Sequence, residues 1–442
     1  MRLMRVMIGV ALLTALAPAV QPVQAQADEA PALEDVVRYV PAADARAMAV
    51  HDERGILVVA HVHEGAGRLS VFALDDLEAT GDGNDEEEQE QQEEQGDNGA
   101  AEALLTLDLP RADALAKHAH APLALTFHPE LPVLYVWRDI AEDVEIEADS
   151  DAEAQVFEHL DHLLIYQLEG EGEQLNLARA DAFCHGERFA YAQQRASLAV
   201  SGDGERLFLP NMVDLDEDIA TQNQGAIGYF DLDEQGMPAP VPVPIEGTLD
   251  GYGINEYEME IRAEWVYTGV PYYNRPRWVR LNRLPTGTGF FAPTKRTLIF
   301  GSGAGFGLWD TVDRRGALSE VSLIDIKSPL LVGHPTLPML YVASHSGNRI
   351  AHMPHVHGFP TMVPTVDSYP GTSFRAIPVV LHRPRHVLAI GGRNHLRLVG
   401  LDANGAFTDQ RAHVPVPTEG PVLAVACSPQ RGRIYVAADE LP

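Results

Sequence analysis

Cysteine is nearly absent from this 442-residue chain, which holds only Cys184 and Cys427. Two widely separated cysteines make no disulfide framework, so stability has to come from a hydrophobic core, and both are read as free and buried. Basic residues are also scarce, 32 Lys and Arg against 64 Asp and Glu. That imbalance argues against nucleic acid and anionic membrane surfaces as partners. Beyond the first twenty residues no apolar run is long enough to cross a bilayer, which takes roughly 20 residues, so no membrane insertion is expected. Several catalytic signatures are missing too: "GxSxG", "HExxH", a P-loop and a dinucleotide fingerprint set between strand and helix.

The chain opens with "MRLMR", an apolar run from Val6 to Val20, and small residues at Ala25 and Ala27. This pattern predicts a signal peptide over residues 1–27, cleaved after Ala27, and a mature protein of residues 28–442 that is periplasmic or secreted. No Cys follows the cleavage point to carry a lipid.

Acidic charge is concentrated rather than spread. Glu78 to Glu102 holds eleven acidic residues and Asp139 to Glu153 eight, with no Lys or Arg in either. These runs, 78–102 and 139–153, are low-complexity and too polar to bury a core, and are expected as disordered loops.

What the sequence has in abundance is one phrase. "HPELPVLYV" from His128 returns as "HPTLPMLYV" from His334, and a single register aligns seven copies. Its leucine position is Leu57, Leu134, Leu207, Leu298, Leu340, Leu388 and Ile434; six residues earlier stand His51, His128, Ser201, Ala292, His334, His382 and Ser428. Each copy reads as a short buried strand, a Pro- or Gly-bearing turn and a second strand, commonly followed by a third and a fourth. Spacings between copies are 77, 73, 91, 42, 48 and 46 residues. The shorter values suit one four-stranded blade, and the acidic runs account for the first two. The fold expected is an all-β, seven-bladed β-propeller, with an eighth degenerate blade inside the 91-residue gap as the alternative.

The final copy stops after its second strand. "DVVRYVP" near the mature N-terminus supplies a spare strand, expected as the outer strand of the last blade, closing the ring. Its third strand is then missing: either the blade is incomplete or further chain completes it, and an open edge could accept a partner strand.

The shared position of His51, His128, His334 and His382 argues that these histidines cap or pack turns. Chemistry is sought instead in loops that the topology gathers on one face of the channel. Turns after second strands offer His61, His63, Arg138, Asp139, His345, Arg393 and His395. Turns entering first strands offer His118, His120, His185, Arg188 and Arg375. Imidazoles converging there suit a transition metal, with His61, His63, His118, His120 and His345 as candidate ligands, and arginines beside them suit a small anionic ligand. The bland reading, exposed loops that simply carry polar residues, stands beside both. No cofactor is specified, and the oligomeric state is not encoded in any visible pattern.

One further insertion, residues 239–288, differs in kind. It carries seven aromatic residues, among them Tyr272 and Tyr273, together with Arg275, Arg277, Arg280 and Arg283. Aromatics with arginine dominate recognition surfaces, so Tyr272, Tyr273 and Arg275 are candidates for a ligand- or partner-docking flap. A small satellite core is the alternative.

Through "HPELPVLYV", "HPTLPMLYVA" and "CSPQRGRIYVA" the chain resembles the YVTN/lactonase-type, WD-repeat-like β-propellers over nearly all of its mature length. The resemblance implies the propeller fold and two functional classes. One is a binding or scaffold module for a protein or small polar ligand. The other is a lactonase-like hydrolase of a small polar metabolite, with His61, Arg138, Asp139, His345 and Arg393 as the implied catalytic candidates. "PRH" at Pro384 to His386 is similar to a lactonase phrase but sits in the turn between first and second strands.

Overall fold

A computed structural model of the protein describes residues 33–64, 66–79, 101–109, 122–138, 161–170, 172–184, 198–201, 203–212, 226–239, 243–244, 289–291, 297–302, 305–310, 315–318, 329–344, 349–356, 359–360, 365–368, 379–382, 385–416 and 420–438. The described strands form seven small sheets.

Sheet one contains Ala45–His51, Ile56–His63, Ala66–Ala73 and Leu105–Asp108; sheet two contains Pro122–Phe127, Val133–Arg138, Asp161–Glu169 and Asn176–Cys184. Sheet three contains Ala199–Val200, Arg206–Met212, Ala226–Asp231 and Val243–Pro244; sheet four contains Gly289–Phe291, Thr297–Ser302, Gly305–Asp310 and Arg315–Leu318. In sheet five, Pro329–Gly333, Met339–Ser344 and Arg349–Val356 are followed by two short strands, Phe359–Pro360 and Thr365–Ser368, that both pair with the third. Sheet six contains Val379–Leu381, Val387–Gly391, His395–Leu401 and Phe407–Pro415. Sheet seven joins Val422–Ser428 and Arg433–Ala438 to the N-terminal strand Val37–Tyr39.

Sheets one to six are antiparallel meanders in chain order. First-to-second and third-to-fourth turns therefore share one end, the hairpin end. Second-to-third turns and the passages to the next sheet share the other, the crossover end. The innermost strands of consecutive sheets lie side by side, and that of sheet seven lies beside that of sheet one. This is β-propeller architecture.

The repeated phrase owes its form to period-2 alternation in a strand with a sheet packed on either side. Leu57 and Val59 turn toward sheet seven, where they meet Tyr435, Ala424 and Ala426. Val58 and Ala60 turn the other way, toward Leu134 and Val136 of sheet two. Between sheets five and six the rule repeats: Tyr341 faces forward to Leu388 and Ile390. The leucine and final valine of "LYV" thus pack backward and the tyrosine forward. With both faces covered, the second strand has to be apolar throughout.

Two of the forward tyrosines also donate hydrogen bonds across the seams. Tyr135 Oη donates to the carbonyl of Gly236 (2.6 Å), and Tyr341 Oη to that of Gly405 (2.7 Å). Both glycines sit in third-to-fourth hairpins of the following sheet with φ of 77° and 81°, a region that favours glycine. The hairpins are held by Asp233, which accepts from the N–H groups of Gln235 and Met237, and by Asp402, which accepts from those of Asn404 and Ala406. Burial pushes both phenols well above the ordinary tyrosine range. In sheet one the same hairpin position is taken by a short helix, Leu74–Ala79, which Arg431 holds through Asp75 (2.5 Å) and Glu78 (3.1 Å).

Sheet seven adds a pairing that the sequence expectation left open. Val37–Tyr39 is the outermost of the three described strands, as expected, but it pairs directly with the second strand, Arg433–Ala438, and runs parallel to it. The reason is directional. A strand that leads into the innermost strand of the next sheet runs the way a fourth strand runs, which is parallel to the second. With no described third strand between them, the two pair directly. The Val40 N–H reaches the Val436 carbonyl (2.9 Å), so the main chain of Val37 faces outward. Its carbonyl accepts from the Arg38 guanidinium (2.9 Å), which also binds the Asp35 carbonyl (3.0 Å). Arg38 thereby caps part of the edge that a foreign strand would need.

Candidate functional site

Of the residues singled out at the crossover end, His61, His63, Arg393 and His395 are described with their side chains, and Arg138 by its main chain alone, paired with Pro122. Asp139, His118, His120, His185, Arg188, Tyr272, Tyr273, Arg275, His345 and Arg375 lie outside the described residues, as do 80–100, 139–160 and 245–288.

His61 lies two residues before the end of the second strand of sheet one. Its Nε2 lies 2.9 Å from Ser70 Oγ, which in turn lies 3.5 Å from Thr106 Oγ1, so a polar line crosses three strands. Beside it Arg68 Nε donates to Asp108 Oδ1 (2.7 Å). Burial, then Arg68 and His63, hold the His61 imidazole below its ordinary pKa, so it is neutral at pH 7. His63, two residues on, is exposed.

His395 opens the third strand of sheet six. Arg397 Nε donates to His395 Nε2 (3.1 Å), which makes Nε2 the acceptor and places the proton on Nδ1, where it meets Asn394 Oδ1 (2.8 Å). His413 stacks on the ring at 5.4 Å. Burial, Arg397 and His413 lower the His395 pKa. With both nitrogens engaged, the ring is a positioned polar surface rather than an open ligand. Arg393 is exposed two residues away. The crossover end thus presents neutral imidazoles with arginine close by on sheets one and six.

The hairpin end holds an arrangement the sequence reading passed over. The turn-capping role expected of the repeated histidine is realised at His128: Nδ1 accepts from the Glu130 and Leu131 N–H groups (3.1 and 3.0 Å). Its Nε2 then carries the proton and donates to the Gly204 carbonyl of sheet three (3.1 Å). Ser201 and Ser428 serve the same turn through hydroxyls that accept from the Arg206 and Arg431 N–H groups. His51 makes no such cap and stands edge-on to Phe127 at 5.0 Å.

His334 caps its turn as His128 does, accepting from the Thr336 and Leu337 N–H groups at 3.2 and 3.0 Å. What its Nε2 faces is different. In place of a carbonyl, the turn of sheet six brings His382 and His386, with ring centroids 5.1 and 5.6 Å from His334 and 4.8 Å from each other. One ring nitrogen of each lies within 4.8 Å of the others, an array able to hold a metal ion. Thr336 Oγ1 lies 3.4 Å from both His334 Nδ1 and His382 Nε2. Burial, His382 and His386 push the His334 pKa down to about 4. His382 belongs to the repeat and was read as lettering; His386 is the signal that could have been caught, a second histidine inside a turn that has one at most elsewhere.

No protein-family model matches the sequence, and no curated protein matches it. Solved structures do share the fold. One chain of a mitotic checkpoint complex aligns with 98% of this chain and 96% of its own length at 12% identity, TM-score 0.50. A protein of Bacteroides uniformis, provisionally assigned as a 6-phosphogluconolactonase, aligns with 85% of this chain and 86% of its own at 11% identity, TM-score 0.48. Raptor of Chaetomium thermophilum aligns with 90% of this chain at 12% identity, TM-score 0.47, and this chain spans only 27% of Raptor's length. Identities this low speak to fold alone.

Proposed function

We propose that the seven sheets are the blades of one closed propeller, exported after cleavage at Ala27, that works as a binding module for a protein or small polar partner. The observation that carries this reading is where the chain departs from the repeat. The segment 245–288 leaves the outermost strand of sheet three and re-enters at the innermost strand of sheet four. Both anchor points belong to the crossover end, which also carries His61, His63, Arg393 and His395. Strands sandwiched by apolar seams supply a stiff platform, and an aromatic and arginine-rich segment set on its rim suits recognition.

The test replaces 245–288 with a short Gly-Ser linker in the mature chain. Circular dichroism and thermal unfolding should match the parent, while proteins cross-linked and recovered from the native envelope fraction by the parent should be lost. Unchanged recovery would sink the binding reading.

A second reading keeps the lactonase-like activity. It draws on the resemblance of the repeat and on the neutral His61 beside Arg68 and Asp108. Hydrolysis of a sugar δ-lactone such as 6-phosphogluconolactone by the parent, abolished by His61→Ala and preserved by the linker variant, would replace the first reading with this one.

A further inference from the structure

The seam between sheets two and three and the seam between sheets five and six are built from the same parts. In each, a turn histidine takes two main-chain N–H groups on Nδ1 and aims Nε2 at the neighbouring sheet, and a tyrosine seven residues later donates to a glycine carbonyl there. They differ in what Nε2 meets. At His128 it is the Gly204 carbonyl; at His334 it is a pair of imidazoles four residues apart, His382 and His386. His334 is 1% exposed, and its buried Nε2 has no hydrogen-bond partner among the described residues; neither has the buried Nδ1 of His386. Burying ring nitrogens without partners is costly, so their joint occurrence at one spot calls for a group that both can bind, such as a cation that takes the place of the Nε2 proton of His334.

We propose that His334, His382 and His386 bind one divalent transition-metal ion of the zinc class, bridging sheets five and six at the hairpin end. Imidazole nitrogens suit such ions, and three of them are the ligand count of an open zinc site, which leaves the fourth tetrahedral position to water or an anion. Zinc–nitrogen bonds of about 2.0–2.1 Å put two ligands on one ion about 3.4 Å apart. The three nitrogens, within 4.8 Å of one another, close to that spacing by side-chain rotation of His382 and His386, which are only partly buried and rise from one turn. The main-chain donors on His334 Nδ1 fix the orientation of that ring. Because Nδ1 accepts, Nε2 carries the ring proton; an ion bound at Nε2 must release that proton to solvent, and the two N–H groups and the ion stabilise the imidazolate that remains. The site is distinct from the candidate metal ligands His61 and His63, which belong to the opposite end, and from His118, His120 and His345, which lie outside the described residues.

The experiment uses the mature chain, purified without a histidine tag and stripped with a chelator. Zn²⁺ is titrated against a chromophoric chelator, and Co²⁺ is followed by its visible absorption. One ion per chain is expected, with intense tetrahedral Co²⁺ bands. His386→Ala removes a ligand that caps no described turn. His334→Asn keeps an acceptor where Nδ1 was and removes Nε2. Each should weaken binding at least about tenfold and abolish the bands, with circular dichroism unchanged. His61→Ala and His63→Ala should leave both readouts as in the parent. Absence of a stoichiometric ion, or a site that survives His386→Ala in a folded protein, overturns the proposal even if His334→Asn fails to fold.

Discussion

Replacing Tyr341 and Tyr435 by phenylalanine removes the same atom from the same repeat position, yet the two changes should move stability in opposite directions. Both side chains are fully buried, at 1% and 0% exposure. Tyr341 Oη donates to the Gly405 carbonyl at 2.7 Å, whereas Tyr435 Oη is buried with no hydrogen-bond partner among the described residues. Losing the first hydroxyl forfeits a net hydrogen bond of about 1 kcal/mol and strands a buried carbonyl, for a total near 2 kcal/mol. Losing the second relieves an unsatisfied buried hydroxyl and should return roughly 1 kcal/mol, less a little lost packing. The two variants should therefore stand about 3 kcal/mol apart, roughly two decades in the unfolding equilibrium. Urea unfolding followed by tryptophan fluorescence reads the difference as midpoint shifts of opposite sign at a common m value. Equal destabilisation by both substitutions would refute the reasoning, since it would mean that the Tyr435 hydroxyl has a partner worth as much as the Gly405 carbonyl is to Tyr341.

Gly405→Ala places a Cβ 2.8 Å from Tyr341 Oη at φ +81°, while Gly172→Ala, at φ +55°, meets nothing within 4 Å. Both carry the left-handed cost of about 1 kcal/mol, but only the first should lose more, and that excess should shrink in a Tyr341→Phe background when melting temperatures are compared. Asp402, although exposed, is held below its ordinary pKa of 3.8 by the N–H groups of Ala406 and Asn404. Its contribution to stability is thus present above that value and lost as pH falls through the lower folded pKa, so Asp402→Asn should flatten the acid limb of the stability–pH curve slightly. Cys427, expected to be buried, is free and only half-buried, yet its thiol pKa is pushed up to about 12 by desolvation and then by Asp52. In a Cys184→Ala variant it should resist a thiol reagent at pH 8 and react fully once the protein is unfolded; rapid labelling of the native protein would contradict that desolvation.

Much of the fold was legible because a strand covered on both faces leaves a local mark. The apolar letters at Leu57, Val58 and Val59 and their counterparts recur wherever a second strand lies between two sheets, and a turn of fixed length ties each to its first strand. Sheet seven was read only in part. Its N-terminal strand was visible as the outer strand, but its partner was not, because whether Val37–Tyr39 pairs with a third strand or directly with Arg433–Ala438 depends on which chain is present between them. The functional reading erred in a specific way. Treating the repeated histidine as lettering is right for His128 and incomplete for His334, whose Nδ1 does the same work while its Nε2 meets a different neighbour.

By itself, then, the sequence determined the blade: its strand order, the alternation of its second strand, the turns capped by His128, His334 and Ser428, and the points at which long segments interrupt the repeat. These are short-range properties, set by period-2 burial and by hydrogen bonds within a few residues. What only the tertiary structure decided is what crosses from one sheet to the next. That Tyr341 finds a carbonyl while Tyr435 finds none among the described residues, and that His334 meets His382 and His386 where His128 meets Gly204, follows from the packing of turns some fifty to eighty residues apart in the chain. A ring nitrogen is a cap or a ligand according to the partner that the neighbouring sheet delivers, and no local pattern in the chain records that partner.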